Sequence, residues 1–171
     1  YIYSTIGYAT HGIIDSFTTY GTQLLWPFTD ARFAWNTVSV IDPLFTLPVI
    51  IFCLLTLIKK NNKYSFYAIT WMLMYQLAGF IQKDRAENII YDYAKLKGHD
   101  INEIEAKPSF ANIVVWKVIY SDDNNYYVNA VRLGLSHKIY PGEVIKKLEI
   151  RKDFEWLEPS SQQAIDVERF R

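Results

Sequence analysis

His11 and Asp15 stand four residues apart in an apolar, helix-compatible stretch, YIYSTIGYATHGIIDSF. On a helix that spacing projects both side chains from one face, one turn apart. Imidazole and carboxylate are good donors to zinc or a similar divalent ion, and the carboxylate offsets part of the ion's charge where the dielectric is low. The same spacing also suits a plain histidine–aspartate hydrogen bond within a helix, so two readings of the pair stand. Polar groups continue downstream: Thr18, Thr19, Tyr20, Thr22 and Gln23, then Asp30 and Arg32, then Asp42. An ion held by His11 and Asp15 would lower the pKa of a bound water towards neutrality. Asp42 or Asp30 would then act as a further ligand or general base, Arg32 would neutralise developing negative charge, and Thr19 and Tyr20 would touch the substrate. Each has a plainer role as well. Asp42 precedes Pro43, the arrangement of an N-cap carboxylate at a helix start, and Asp30 with Arg32 reads equally as a loop ion pair of small energetic weight.

The elements that must hold these groups begin with VSVIDPLFTLPVIIFCLLTLI, residues 38–58, almost wholly apolar apart from Asp42. At ~1.5 Å per residue a helix of this length approaches the hydrocarbon thickness of a bilayer. The run breaks at Lys59, Lys60, Asn61, Asn62 and Lys63, and a second apolar stretch, Tyr64 to Ile81, follows at once. Two antiparallel membrane helices joined by a tight polar turn are predicted, with Tyr64, Tyr67, Trp71 and Tyr75 as interfacial aromatics. The alternative is a buried helical hairpin, because Pro43, Pro48, Thr46, Thr56, Thr70 and Gln76 interrupt the apolar surface.

The second helix is expected to continue through Ile81, Ile89, Ile90, Tyr93 and Leu96, with its other face charged and Gly98 as its C-cap. Beyond Ala106 the periodicity changes. Residues 113–120 and 126–133 are strand-like and are separated by Ser121-Asp122-Asp123-Asn124-Asn125, which predicts a β-hairpin with a polar loop. A short helix is expected from Glu143 to Ile150, and the final PSSQQAIDVERFR is weakly structured by composition. The expected fold class is therefore mainly α: a membrane-associated helical bundle over residues 1–98, followed by a small soluble C-terminal β-containing module over 99–171.

Eighteen basic and eighteen acidic residues cancel in a chain of 171, so no overall field draws nucleic acid. Cys53 is the single cysteine, which excludes an internal disulfide and a thiolate metal cluster. The first twenty residues have neither a basic leader nor a small-residue cleavage site, and a segment upstream of Tyr1 is expected.

The run from His11 to Trp35, HGIIDSFTTYGTQLLWPFTDARFAW, and the segment Ile41 to Pro48, IDPLFTLP, resemble the hallmark region of the membrane-bound metal-dependent hydrolases, also described as inner-membrane-associated hydrolases. A weaker similarity at Pro108, Asn112, Trp116 and Lys117 extends it to about residue 135. The resemblance implies a bacterial inner-membrane enzyme with zinc or another divalent metal as cofactor. Through a distant likeness to zinc-dependent phospholipase C and P1-type nucleases, it also implies hydrolysis of a phosphoester or lipid-like substrate. One departure matters: the upstream histidine-rich motif of that family has no counterpart before His11.

Three function classes follow. The first is a membrane-embedded metal-dependent hydrolase with membrane lipid as its surroundings. The second is a non-catalytic membrane interaction protein whose soluble C-terminal module binds a protein partner. The third is a transporter fragment, since aspartate and histidine within a membrane also mark ion paths. In all three the expected location is the inner membrane, with multiple passes. Two crossings put the soluble module on the same face as the polar cluster, opposite the Lys59–Lys63 turn. The three lysines of that turn, packed without an acid, lean it towards the cytoplasm.

Overall fold

The computed structural model describes residues 1–154, 156–158 and 160–170, and of 150, 151 and 168–170 the backbone only. Helix α1 (Ile2–Asp15) ends where the Ser16 hydroxyl turns back to donate to the Gly12 carbonyl at 2.8 Å. The irregular segment that follows folds on itself through an isolated bridge between Thr22 and Phe33, and the Trp35 and Thr37 amides donate to the carbonyls of Ser16 and Phe17. Asp42 and Pro43 then open α2 (Pro43–Lys59), as the N-cap reading requires. Lys60, in the left-handed conformation, stops it.

Helix α3 (Lys63–Leu96) is the spine of the molecule, with its N-terminal half antiparallel to α2. It ends at Gly98, whose φ of 77° allows the Gly98 and His99 amides to reach the carbonyls of Lys95 and Ala94, a Schellman closure. Four strands follow as an antiparallel meander in the order β1 (Glu103–Pro108), β2 (Val115–Ser121), β3 (Asn125–Leu133) and β4 (His137–Lys146). Strands β2 and β3 are the hairpin expected from periodicity, with Trp116 opposite Val131 and Tyr120 opposite Tyr127. Two short helices, α4 (Ile150–Asp153) and α5 (Gln162–Phe170), close the described chain.

The core lies between the C-terminal half of α3 and one face of the sheet. Ala86, Ile90 and Ala94, each four residues apart, line the helix side, and Ala106, Trp116, Val118, Tyr120, Val131 and Leu133 line the sheet. The two alanines let the helix lie close, while Trp116 fills the volume and satisfies its indole N–H on the Ile113 carbonyl at 2.9 Å. About two turns before Ala86, Gly79 is buried against the backbone of Thr37; a Cβ there would overlap the Thr37 carbonyl. That contact seats the N-terminal loop on α3.

Three expectations are corrected. The fold is not a mainly α membrane bundle, because a four-stranded sheet with its own core is built onto α3 and, among the described residues, no helix is long and apolar enough to cross a membrane. The physical reason is visible in each helix. The 17 residues of α2 reach only about 26 Å, short of a hydrocarbon core of about 30 Å. In α3, Ser65, Thr70, Gln76 and Gln82 interrupt the apolar run before Lys83, Asp84 and Arg85 end it. The multi-pass arrangement falls with it. The helix expected from Glu143 to Ile150 is likewise replaced over most of its length: β4 runs to Lys146, where Val144 and Ile145 pair with Tyr127 and Tyr126. Pairing with a neighbouring strand overrides the helical spacing of EVIKKLEI.

Candidate functional site at the helix junction

The polar residues between His11 and Asp42 do not converge on one point. His11 and Asp15 occupy the last turn and a half of α1, and both are exposed. Asp15 is held from the next segment: Thr22 donates its hydroxyl to Asp15 Oδ2 at 3.1 Å, and Thr18 caps the Asp15 carbonyl through its amide and hydroxyl. Thr19 is half-buried and Tyr20 points outward with 79% of its surface exposed. Gly21, at a φ of 73°, turns the chain so that Arg32 and Ala34 lie beside it.

Arg32 and Asp30 are exposed and do not pair with each other. The Arg32 guanidinium donates to the Gly21 carbonyl at 3.3 Å, and it is the backbone carbonyl of Asp30, not its carboxylate, that accepts from Gln23. Asp30 and Arg32 therefore brace the Thr22–Phe33 bridge.

Asp42 is different in kind. It is 2% exposed, and both carboxylate oxygens are engaged. Oδ1 accepts from the Leu44 and Phe45 amides at 3.0 and 3.3 Å, capping α2, while Oδ2 accepts from the Tyr75 hydroxyl at 2.6 Å. A carboxylate with three donors inside a helix junction is a structural anchor, and its N-cap role is the one present. Tyr75, read from the sequence as an interfacial aromatic, is buried and locks α2 to α3 instead. Nothing in one dimension links it to Asp42, 33 residues away.

A second polar joint was equally illegible. Thr37, fully buried, donates to Gln76 Oε1 at 2.9 Å. Asn36, buried at a φ of 54°, donates its side-chain amide to Glu105 Oε1 at 2.6 Å, and the Glu105 carboxylate pairs with Lys107 at 2.9 Å. Ser39 accepts from the Ala111 amide at 3.3 Å. These bonds place the N-terminal loop and the sheet at the same end of the α2–α3 hairpin, away from the Lys59–Lys63 turn.

At the far end of the sheet lies a cluster that sequence reasoning missed altogether. His99 Nδ1 meets the Tyr120 hydroxyl at 2.8 Å, the rings of Tyr120 and Tyr127 stack at 4.7 Å and 9°, and the Tyr127 hydroxyl donates to Asp122 Oδ2 at 2.8 Å. Asp122 Oδ1 accepts from the amides of Asn124 and Asn125, an Asx turn that closes the β2–β3 hairpin. Burial acts to raise the Asp122 carboxyl, but the Tyr127 hydroxyl and those amides outweigh it and hold the group below its ordinary value. Burial, with Tyr127, Tyr93 and Asp122 adding to it, pushes the Tyr120 hydroxyl up to about 12. The only available signal was the run of aspartates and asparagines, which marks a turn but not its partners.

The donors present bear on how an ion could be held. His11 and Asp15 share a face, but among the described residues no third histidine, cysteine, aspartate or glutamate joins them in a group that could hold an ion. Two donors are half of a tetrahedral shell, so the described residues do not by themselves complete a zinc site, and Asp42 is engaged with Tyr75 and the α2 amides.

The family described as YdjM inner membrane protein matches residues 1–86, the helical half that carries α1, the junction loop, α2 and most of α3's apolar length. This corrects the resemblance to metal-dependent hydrolases, because the match is to a family described by its place in the inner membrane and carries no metal-dependent hydrolase assignment. No curated protein and no solved structure matches the chain. With its junction loop and hairpin covered by that match over half its length, the chain belongs to the YdjM inner membrane protein family.

Proposed function

We propose that the chain is a membrane-associated interaction protein, whose helical hairpin contacts lipid and whose sheet module is offered to a partner. One observation carries this reading: the hairpin leaves its apolar side chains uncovered. Leu47, Ile51, Leu54 and Ile58 recur along α2, and Phe66, Leu73 and Leu77 along α3, all exposed. Leu57 and Ile58, at the end of α2, are more than 70% exposed. Contiguous apolar surface on this scale marks an interaction or membrane site, and membership of an inner-membrane family favours lipid. The reading asks only that lipid cover these side chains, not that a helix cross the bilayer. Fractionation of bacterial cells tests it. The chain should sediment with the inner membrane, and replacing Leu47, Leu54 and Leu57 by Asn should release it; a wild-type chain found wholly in the supernatant would refute the proposal.

Hydrolysis of a phosphoester or lipid-like substrate is the second reading, and the shared face of His11 and Asp15 is the observation in its favour. It would need donors beyond the two that α1 supplies. Metal analysis of the purified chain and of His11→Ala decides it: stoichiometric zinc lost on substitution supports hydrolysis, and its absence from the wild type ends that reading.

A further inference from the structure

The sheet has a second face, turned away from α3, and its charge is unevenly placed. Register puts Lys107 directly opposite Lys117, and Arg132 directly opposite Lys138. Residues paired across strands lie on the same face, with Cβ atoms about 4.5–5.5 Å apart, and like charges so placed repel. Trp116 and Val131, the alternate residues, point into the core, so all four cations lie on the outer face. Lys117, Arg132 and Lys138 are exposed and form no ion pair among the described residues; Lys107 is paired with Glu105. Tyr140 stands among them, with the Lys138 ammonium 5.1 Å from its ring.

The position of this patch along the sheet is informative. Arg85 reaches the Gly134 carbonyl at 3.3 Å and Gln82 the Ile113 carbonyl at 3.2 Å, so the end of the sheet that carries Arg132 and Lys117 is the end where α3 emerges from the apolar hairpin. The opposite end holds Glu103, Asp122 and Asp123. Lysines at that far end have nearby partners: Lys95 with Asp100, Lys146 with Glu149, and Lys147 over the Tyr126 ring. On the outer face, Lys117, Arg132 and Lys138, without an acid partner among the described residues, thus gather beside the apolar surface, with Lys107 and its Glu105 next to them.

We propose that Lys107, Lys117, Arg132 and Lys138 form a docking surface for the phosphate headgroups of anionic lipid. The inference rests on the membrane reading above and adds the lipid class to it. An array of cations adjoining lipid-facing apolar surface is what an anionic leaflet attracts, each cation near the surface contributing about fivefold in binding. Repulsion within the two like-charged pairs is relieved when a phosphate lies across each. An acidic protein segment has the same charge, but nothing would require it to bind next to the hairpin.

The test is flotation of the purified full chain with vesicles of phosphatidylcholine alone and of phosphatidylcholine mixed with phosphatidylglycerol. Wild type should bind the mixed vesicles at least tenfold more tightly, with the gain lost at high salt. The Lys107→Gln, Lys117→Gln, Arg132→Gln, Lys138→Gln variant should lose that gain and keep its binding to phosphatidylcholine. Lys59→Gln, Lys60→Gln, Lys63→Gln is the companion variant, since the turn lysines also carry charge; it should keep most of the gain. Lys117→Arg should behave as wild type, and unchanged thermal unfolding shows that the variants are folded. If the sheet variant keeps the full preference for anionic vesicles, the inference is wrong while the membrane reading stands. Failure of the wild type to bind either vesicle overturns both. Binding of soluble polyglutamate that depends on the four cations, with no vesicle preference, overturns the inference in favour of an acidic protein partner.

Discussion

Along the single helix α3, two halves carry apolar side chains at the same helical spacing and meet opposite surroundings. In the C-terminal half, Ala86, Ile90 and Ala94 are completely buried under the sheet. In the N-terminal half, Phe66, Leu73 and Leu77 are each more than 60% exposed, and α2 beside them shields only the facing stripe. Periodicity states that a face is apolar; what covers that face depends on what else the chain brings to it. The sheet half therefore has a core of its own, whereas the hairpin half leaves its outer apolar stripe uncovered among the described residues.

The sharpest way to break that comparison is to truncate one apolar residue in each half. Trp116→Ala should cost about 3–5 kcal/mol, because a fully buried indole leaves a cavity that the flanking strands cannot fill. Leu57→Ala, at 74% exposure, should change stability by no more than about 0.5 kcal/mol. Urea unfolding of both variants measures the pair, and equal losses would show that the hairpin is packed in solution.

Next in size is the joint between the halves. Gly79→Ala should destabilise by about 1–3 kcal/mol, since its methyl would have to displace the Thr37 backbone. The expected accompaniment is faster proteolysis of the 17–42 segment, while the sheet stays protected from amide exchange. Loss of protection in both would mean that the halves unfold as one unit.

Asp42→Ala removes the cap of α2 and leaves the buried Tyr75 hydroxyl without its acceptor, so a loss of about 2 kcal/mol is expected. Asp42→Asn keeps the capping oxygen and should lose less. His11→Ala, on the exposed end of α1, should leave the melting temperature within a degree or two; a loss as large as that of Asp42→Ala would show that the imidazole has a structural partner.

The far end of the sheet answers to pH. Tyr120, with its folded pKa raised, contributes stability that is complete below the unfolded value of about 10 and is lost as pH rises towards about 12. Asp122 is shifted the other way: its contribution is complete above its unfolded value and is lost as pH falls through the lower folded value. Tyrosinate absorbance during an alkaline titration should show several late-ionising phenols, Tyr75 beside Asp42 and Tyr127 beside Asp122 as well as Tyr120, and the Tyr120 component should move earlier in His99→Ala or Tyr127→Phe. No change in either variant would remove the cluster from the account.

One expected effect is a gain. Lys60 holds a left-handed conformation at a φ of 49°, and Lys60→Gly should stabilise the hairpin turn by about 0.5–1 kcal/mol, read as a small rise in the urea midpoint.

How far these features could be read in one dimension followed the range of the interaction behind each. Local chemistry was legible. Asp42-Pro43 announced the start of α2, the Lys59–Lys63 break announced the turn, Gly98 announced the end of α3, and alternation with a polar loop announced the β2–β3 hairpin; each depends on residues within a few positions of one another. Longer contacts were not. His11 and Asp15 lie one turn apart on α1, but whether further donors join them depends on where residues 30 and 42 fold, and Asp42 went to Tyr75 instead. β4 took residues that alone favour a helix because β3 offered an open edge. The pairing of cation with cation across strands exists only once register is set. Sequence by itself determined α2 and α3 with their ends and the β2–β3 hairpin, because backbone capping and side-chain periodicity are set within a turn or two of chain. Tertiary structure alone decided which apolar face was buried, which carboxylate was committed and which charges became neighbours, because those depend on surfaces brought together from distant parts of the chain.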